Sequence, residues 1–265
     1  LLEGRTVSAR YCAEYHNLLA KCYFVENRFA DAAKEARACI PAIEVEAEAR
    51  EAEAKEKEKG NQKEKIPGRI AAACEIVAKS LHMLAKREGL LKEEQASCYT
   101  QALDAIEEAL KQEPENRGYR IEKAQIFMDR GDYPRASDVC DEMLEADQGD
   151  FFACIIRQKC CFEMQDGQGV IDNFYQAKDI YAGFPDMYEL AAEVFIRYNQ
   201  YEDATGILDQ AKEANVSSPK LELLRLTILR ETAKEDAEFQ KAYHLAEELF
   251  LKFSEHKEQV TREHE

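Results

Sequence analysis

Apolar positions along this chain recur at helical spacing and then repeat at a longer one. The short period is plain in Ile70, Ala73, Cys74, Val77, Leu81 and Leu84, which share one face of a helix spanning 70–85. The long period emerges when two segments are aligned. They are Ala124-x-x-Phe127-x-x-x-Gly131-Asp132-Tyr133-x-x-Ala136 and Ala192-x-x-Phe195-x-x-x-Asn199-Gln200-Tyr201-x-x-Ala204. Tyr133 and Tyr201 stand 68 residues apart, twice 34. A step of 34 from either side meets a degraded middle copy, with Cys161 in the place of Phe127, Val170 in that of Ala136 and Ala177 in that of Met143. A further step toward the N-terminus reaches Tyr99, Ala102, Ile106, Ala109 and Pro114. Beyond a short insertion near 231–238, Phe239, Ala242, Ala246 and Leu249 repeat the pattern, and Leu19, Ala20, Tyr23, Phe29, Ala32 and Ala36 open it.

In this order of large and small residues, at this period, the chain resembles the tetratricopeptide repeat (TPR) family, whose unit is a helix hairpin of 34 residues. Small side chains such as Ala124 and Ala136 let paired helices approach, large ones such as Phe127 and Tyr133 fill the gap, and stacking makes the core continuous. Gly131-Asp132 and Asn199-Gln200 fall at chain reversals, while Pro114, Pro185 and Pro219 fall between units. The fold class this implies is all-α, a superhelical solenoid of about six hairpins over 1–265, with a charged extension after the first. Its parts are a first hairpin over 1–40, a charged spur or loop over 41–67, a stretched repeat over 68–115, three 34-residue repeats over 116–217, a last repeat over 218–254 and a polar tail over 255–265.

The interruption is compositional. Between Glu44 and Lys65 stand eight Glu and six Lys or Arg, several opposed at i,i+4, as in Glu46–Arg50, Glu51–Lys55 and Glu53–Lys57. This spacing predicts a solvated helical spur to about Lys59, with Gly60-Asn61-Gln62 breaking it and Ile66-Pro67-Gly68 turning the chain into the next unit. A disordered charged loop is the other reading. The segment from Arg87 to Glu93 predicts a longer turn than the template has.

Charge narrows the partners. With 36 basic and 53 acidic residues, net −17, the chain repels phosphate backbones and anionic membrane surfaces, so nucleic acid is excluded as an expected partner. No apolar run approaches the ~18 residues of a membrane span. The chain opens on Leu1 rather than Met, and the expectation is a piece of a longer protein. Nine cysteines occur without a CxxC, and Cys160 and Cys161 point to different helix faces. Cys22, Cys39, Cys140, Cys154, Cys160 and Cys161 fall on or beside packing positions, so reduced buried thiols in a cytoplasmic protein are expected.

Candidate chemistry is sparse. His16, His82, His244, His256 and His264 have no metal-ligand spacing, and no phosphate-binding or nucleophile motif appears. Gly167-Gln168-Gly169 falls at the hairpin turn of the degraded repeat. The expectation is a protein that is no enzyme, needs no cofactor or metal, and binds other proteins or peptides. In the repeat template the groove-facing positions of the first helices are Asn17, Lys21, Ile121, Gln125, Met128, Ile155, Lys159, Phe162, Glu189 and Glu193, with the apolar ones grouped at the centre. Such a strip either takes a helix or extended peptide or is buried against neighbouring repeats. Related co-chaperones grip a C-terminal carboxylate with a Lys-Asn-Asn-Lys-Arg clamp. Here Asn17 precedes Lys21, which reverses the first pair, so no clamp is expected.

The order of features is also similar to the large TPR subunits of intraflagellar transport complex A. Leu18-Leu19-Ala20-Lys21-Cys22-Tyr23, a charged extension, Ala71-Ala72-Ala73-Cys74-Glu75-Ile76-Val77-Ala78-Lys79, and regular and divergent repeats follow one another. That resemblance implies a scaffold in a ciliary assembly.

Overall fold

The structure is a computed structural model that describes residues 2–56 and 66–263. Among the described residues it holds twelve helices and no strand. The chain divides into two compact units, Leu1–Ala146 and Asp147–Glu265.

The first unit comprises α1 (Leu2–Val25), α2 (Phe29–Glu56), α3 (Ile66–Ala85), α4 (Lys92–Gln112), α5 (Arg117–Arg130) and α6 (Tyr133–Ala146). Each packs on the next, and the first helices of the hairpins also meet one another, α1 with α3 and α3 with α5. The second comprises α7 (Phe151–Glu163), α8 (Gly167–Ala177), α9 (Pro185–Arg197), α10 (Tyr201–Glu213), α11 (Pro219–Thr232) and α12 (Asp236–Glu263). There α7 meets α9 and α9 meets α11 in the same way.

The 34-residue register is visible at both ends of the short helices. Asn116, Asp150 and Ser218 cap α5, α7 and α11, each side chain accepting the backbone N–H three residues on. Phe184 occupies the same step ahead of α9 without a capping bond, and Pro185 supplies the helical φ instead. At the hairpin turns Gly131, Gln165 and Asn199, again 34 apart, have φ of 84°, 60° and 59°. The reversal needs a left-handed residue, which glycine and asparagine tolerate better than most.

Packing follows the template. Phe127, Ala136 and Met143 are buried, as are their counterparts Cys161, Val170 and Ala177, and Tyr99, Ala102, Ile106 and Ala109. Tyr133, Phe195 and Tyr201 are half-buried. Cys39, Cys140, Cys154, Cys160 and Cys161 are buried. Cys22 is not: it lies on the outward face of α1 and is exposed, contrary to expectation. Phe239, placed by the register at a large packing position, is also half exposed, while Ala242 and Leu249 are buried.

The charged interruption departs from expectation at its two ends. Helix α2 runs on to Glu56, and its continuation is packed at the root. Ile43 joins Cys39, Ala13 and Ala73 in one cluster, and the buried Glu46 meets Arg69 of α3 at 2.6 Å. Ile66, Pro67 and Gly68 form the first turn of α3 rather than a turn before it. Proline is at home there because the first helical N–H groups have no intrahelical acceptor. The proposed break at Gly60-Asn61-Gln62 lies outside the described residues, as do the side chains of Arg50, Glu51, Glu53, Lys55 and Lys57.

Candidate functional site

In the first unit, α1, α3 and α5 enclose an open depression of about 300 Å³. Phe24, Met83 and Met128 contribute its apolar surface, Gln125 a neutral polar group, and His82 with Asp129 part of its floor. Methionine thioethers are unbranched and polarisable, so such a rim adapts to differing side chains.

The floor is fixed by a charge network. His82 of α3 is buried, and its two ring nitrogens lie 2.8 Å from Glu122 Oε1 and 2.8 Å from Asp129 Oδ2 of α5. A neutral imidazole carries one N–H, so two carboxylate acceptors call for the imidazolium. Burial opposes that charge, but the hydrogen bonds to Asp129 and Glu122 outweigh it and raise the His82 pKa above its ordinary 6.5. Lys86, one turn along α3, donates to the same Asp129 oxygen at 2.8 Å. Burial pushes the Asp129 carboxyl up, yet the bonds from His82 and Lys86 prevail and lower it. Two cations from α3 thus meet two anions from α5, and the remaining cation of the lining, Lys79, pairs with Glu75 at 2.6 Å, so the charges at the floor are matched.

The expected groove residues divide between the two units. In the first, Gln125 and Met128 reach the depression and Ile121 is half-buried beside them in sequence on α5. Asn17 is half-buried and Lys21 exposed, but α1 contributes Phe24 to the depression rather than either of them. In the second unit, the polar members bridge successive first helices. Lys159 pairs with Asp186 of α9 at 2.6 Å, Glu193 with Lys220 of α11 at 2.9 Å, and Ser218 donates to Glu189. Phe162 lies under the guanidinium of Arg197 at 4.4 Å and lines a second depression of about 250 Å³ with Val194 and Tyr198. Ile155 is half-buried on α7.

Sequence reasoning missed His82, Lys86, Glu122 and Asp129. The signal was present in reduced form: two cations four apart on one first helix, two anions seven apart on the next. Gly167 and Gly169, read as turn residues, instead open α8, whose cap is Asp166, while Gln165 makes the turn. The buried thiols are poor nucleophiles. Burial pushes the Cys74 thiol up to about 11 and the Cys160 thiol up to about 12. Among the described residues no group of three His, Cys, Asp or Glu side chains could hold a metal ion. Nor is any helix there long and apolar enough to cross a membrane.

With the hairpins, register and groove in place, comparison with known proteins is direct. Residues 88–151 match the family model described as tetratricopeptide repeat. The fold is of that type. Among solved structures, the chain is similar to pilF of Pseudomonas aeruginosa (TM-score 0.57, 12% identity), over 94% of this chain and 93% of that one. It is also similar to MamA (TM-score 0.56, 15% identity, 71% of this chain and 96% of that one). MamA from Desulfovibrio magneticus gives a TM-score of 0.55 at 12% identity, over 77% of this chain and 95% of that one. At such identities the TPR likeness is one of fold alone. No curated protein matches the chain.

Proposed function

We propose that this TPR chain is a non-enzymatic protein–protein interaction scaffold, a segment of a subunit in a larger assembly, which takes up a segment of another protein in the depression between α1, α3 and α5. One observation carries the reading: an adaptable rim of Phe24, Met83 and Met128 rests on a floor whose charges already satisfy one another. Such a site offers apolar contact and no unpaired charge, which suits an apolar side chain presented by a helix or extended peptide. The TPR match over 88–151, which includes all of α5, supports it. A peptide-binding adaptor or co-chaperone without the carboxylate clamp is the second reading, favoured by the small size of the depression. The narrower idea of a subunit of intraflagellar transport complex A, and with it a ciliary rather than a general cytoplasmic location, rests on the sequence motifs alone.

The test is a substitution at the rim. Met83 is 41% exposed, so Met83→Glu leaves the core intact while placing a charge where an apolar contact is required. Affinity capture followed by mass spectrometry should lose specific partners for this variant while circular dichroism stays unchanged. An identical partner profile would refute the assignment of the site.

A further inference from the structure

Helix α1 is amphipathic in the wrong sense for a solvated surface helix. Its inward face is made of alanines, with Ala13 1% and Ala20 0% exposed. Its outward face carries the large apolar side chains: Tyr11 is 69% exposed, Tyr15 61%, Leu18 64% and Val25 81%, and Cys22 completes the row. The intervals are four, three, four and three residues, an average of 3.5. That is the period of a coiled-coil seam rather than of a helix laid on a flat core.

We propose that this seam pairs with the same seam of a second copy of the chain, antiparallel and two-fold symmetric. Charge supports a like–like contact here. The chain carries −17, but from Ser8 to Glu26 the Lys and Arg residues, Arg10 and Lys21, balance the acidic Glu14 and Glu26. The seam is therefore a neutral strip on an anionic molecule, where two copies meet without like charges set face to face in the contact itself. The antiparallel register sets Tyr15 against the partner's Leu18 and Tyr11 against the partner's Cys22. Bulky rings then face smaller side chains, whereas a parallel pair would crowd tyrosine on tyrosine. It also places Glu14 beside the partner's Lys21, twice by symmetry. Two seams of this exposure would bury on the order of 1,000 Å², the lower bound for a specific interface, which fits a weak, concentration-dependent dimer.

The same register sets Cys12 within about one helical rise of the partner's Cys22. These are the exposed cysteines among the described side chains, and they make the arrangement testable. Sedimentation velocity of the full chain should show a dimer at micromolar concentration that Leu18→Glu converts to monomer with unchanged helicity. A short bismaleimide should link wild-type copies, and both Cys12→Ser and Cys22→Ser should abolish the link. A wild-type monomer at every concentration overturns the proposal and leaves the seam to a foreign helix. Linking that survives Cys12→Ser but not Cys22→Ser overturns the antiparallel register in favour of a parallel one. A dimer that survives Leu18→Glu but is lost in Phe250→Glu overturns it in favour of α12, where Phe239, Tyr243 and Phe250 are exposed.

Discussion

His82 joins α3 to α5 through two carboxylates, and its proton is the condition for both bonds. Folding raises the imidazole pKa, so its contribution is complete below the unfolded value near 6.5 and is lost as pH rises through the folded value. Asp129 has the opposite sign. Its folded pKa is lowered, so its contribution is present above the ordinary 3.8 and is lost as pH falls through the folded value. The first unit should therefore be most stable between these limits, and an NMR titration should place the His82 midpoint above 6.5. A midpoint at or below that value would show that burial prevails over the carboxylates. His82→Ala removes the cation and leaves Glu122 and Asp129 facing each other, at a cost of about 2–4 kcal/mol in urea unfolding. His82→Gln, which keeps one donor, should recover part of that loss. The two cations and the two anions could be seen in the sequence but their pairing could not: the partners lie 40 and 47 residues from His82, and no local pattern encodes a contact across that distance.

At the level of elements, the short helices are defined as much by their starts as by their packed faces. Asp150 and Ser218 each satisfy a backbone N–H that would otherwise lack an acceptor, with bonds of 3.1 Å in both cases. Asp150→Ala and Ser218→Ala should each cost about 1 kcal/mol, measurable as a lowered midpoint in chemical unfolding. Phe184, at the same step of the register, has no cap bond to lose. Its ring packs on Phe151 at a tilt of 42° with centroids 3.9 Å apart, so Phe184→Ala should act through lost packing rather than a lost cap. If all three substitutions proved silent, the 34-residue step would be a packing repeat without end-capping energetics. The packing half of the repeat was readable because steric size is written residue by residue: alanine where helices touch, an aromatic where they part. The root of the α2 continuation was not, because Glu46 reads as one more acid in a charged run. Arg69, 23 residues on, offsets the cost of its burial. The start of α3 was misplaced for a related reason, since Pro67 marks both a turn and a first helical turn. The exposed row on α1 escaped notice because the repeat template assigns that helix a single buried face. Of the groove residues named from the template, Gln125 and Met128 of α5 line the depression. The template could not assign polar partners to Lys159, Glu189 and Glu193, since those lie on the next first helix or its cap.

Across the whole molecule one quantity acts on every association, the net charge of −17. At low ionic strength that field extends tens of ångströms, whereas at physiological salt it fades within about 8 Å. Two kinds of contact should respond in opposite directions. A basic partner taken up by the scaffold gains from the field, so its association should slow as salt rises. Two copies meeting through α1 gain nothing from it: the strip itself is balanced, and the remaining charge on each molecule repels the other. Screening removes that repulsion while leaving the burial of Tyr11, Tyr15, Leu18 and Val25 untouched, because apolar burial does not depend on Coulomb forces. The Glu14 contact with the partner's Lys21 weakens, but an exposed pair of this kind contributes only about 0–1 kcal/mol. The net expectation is a dimer that tightens several-fold between low and physiological sodium chloride, read by sedimentation at fixed protein concentration. Loosening over the same range would mean that charge rather than apolar surface joins the copies, and the neutral strip on α1 would then be the wrong place to look.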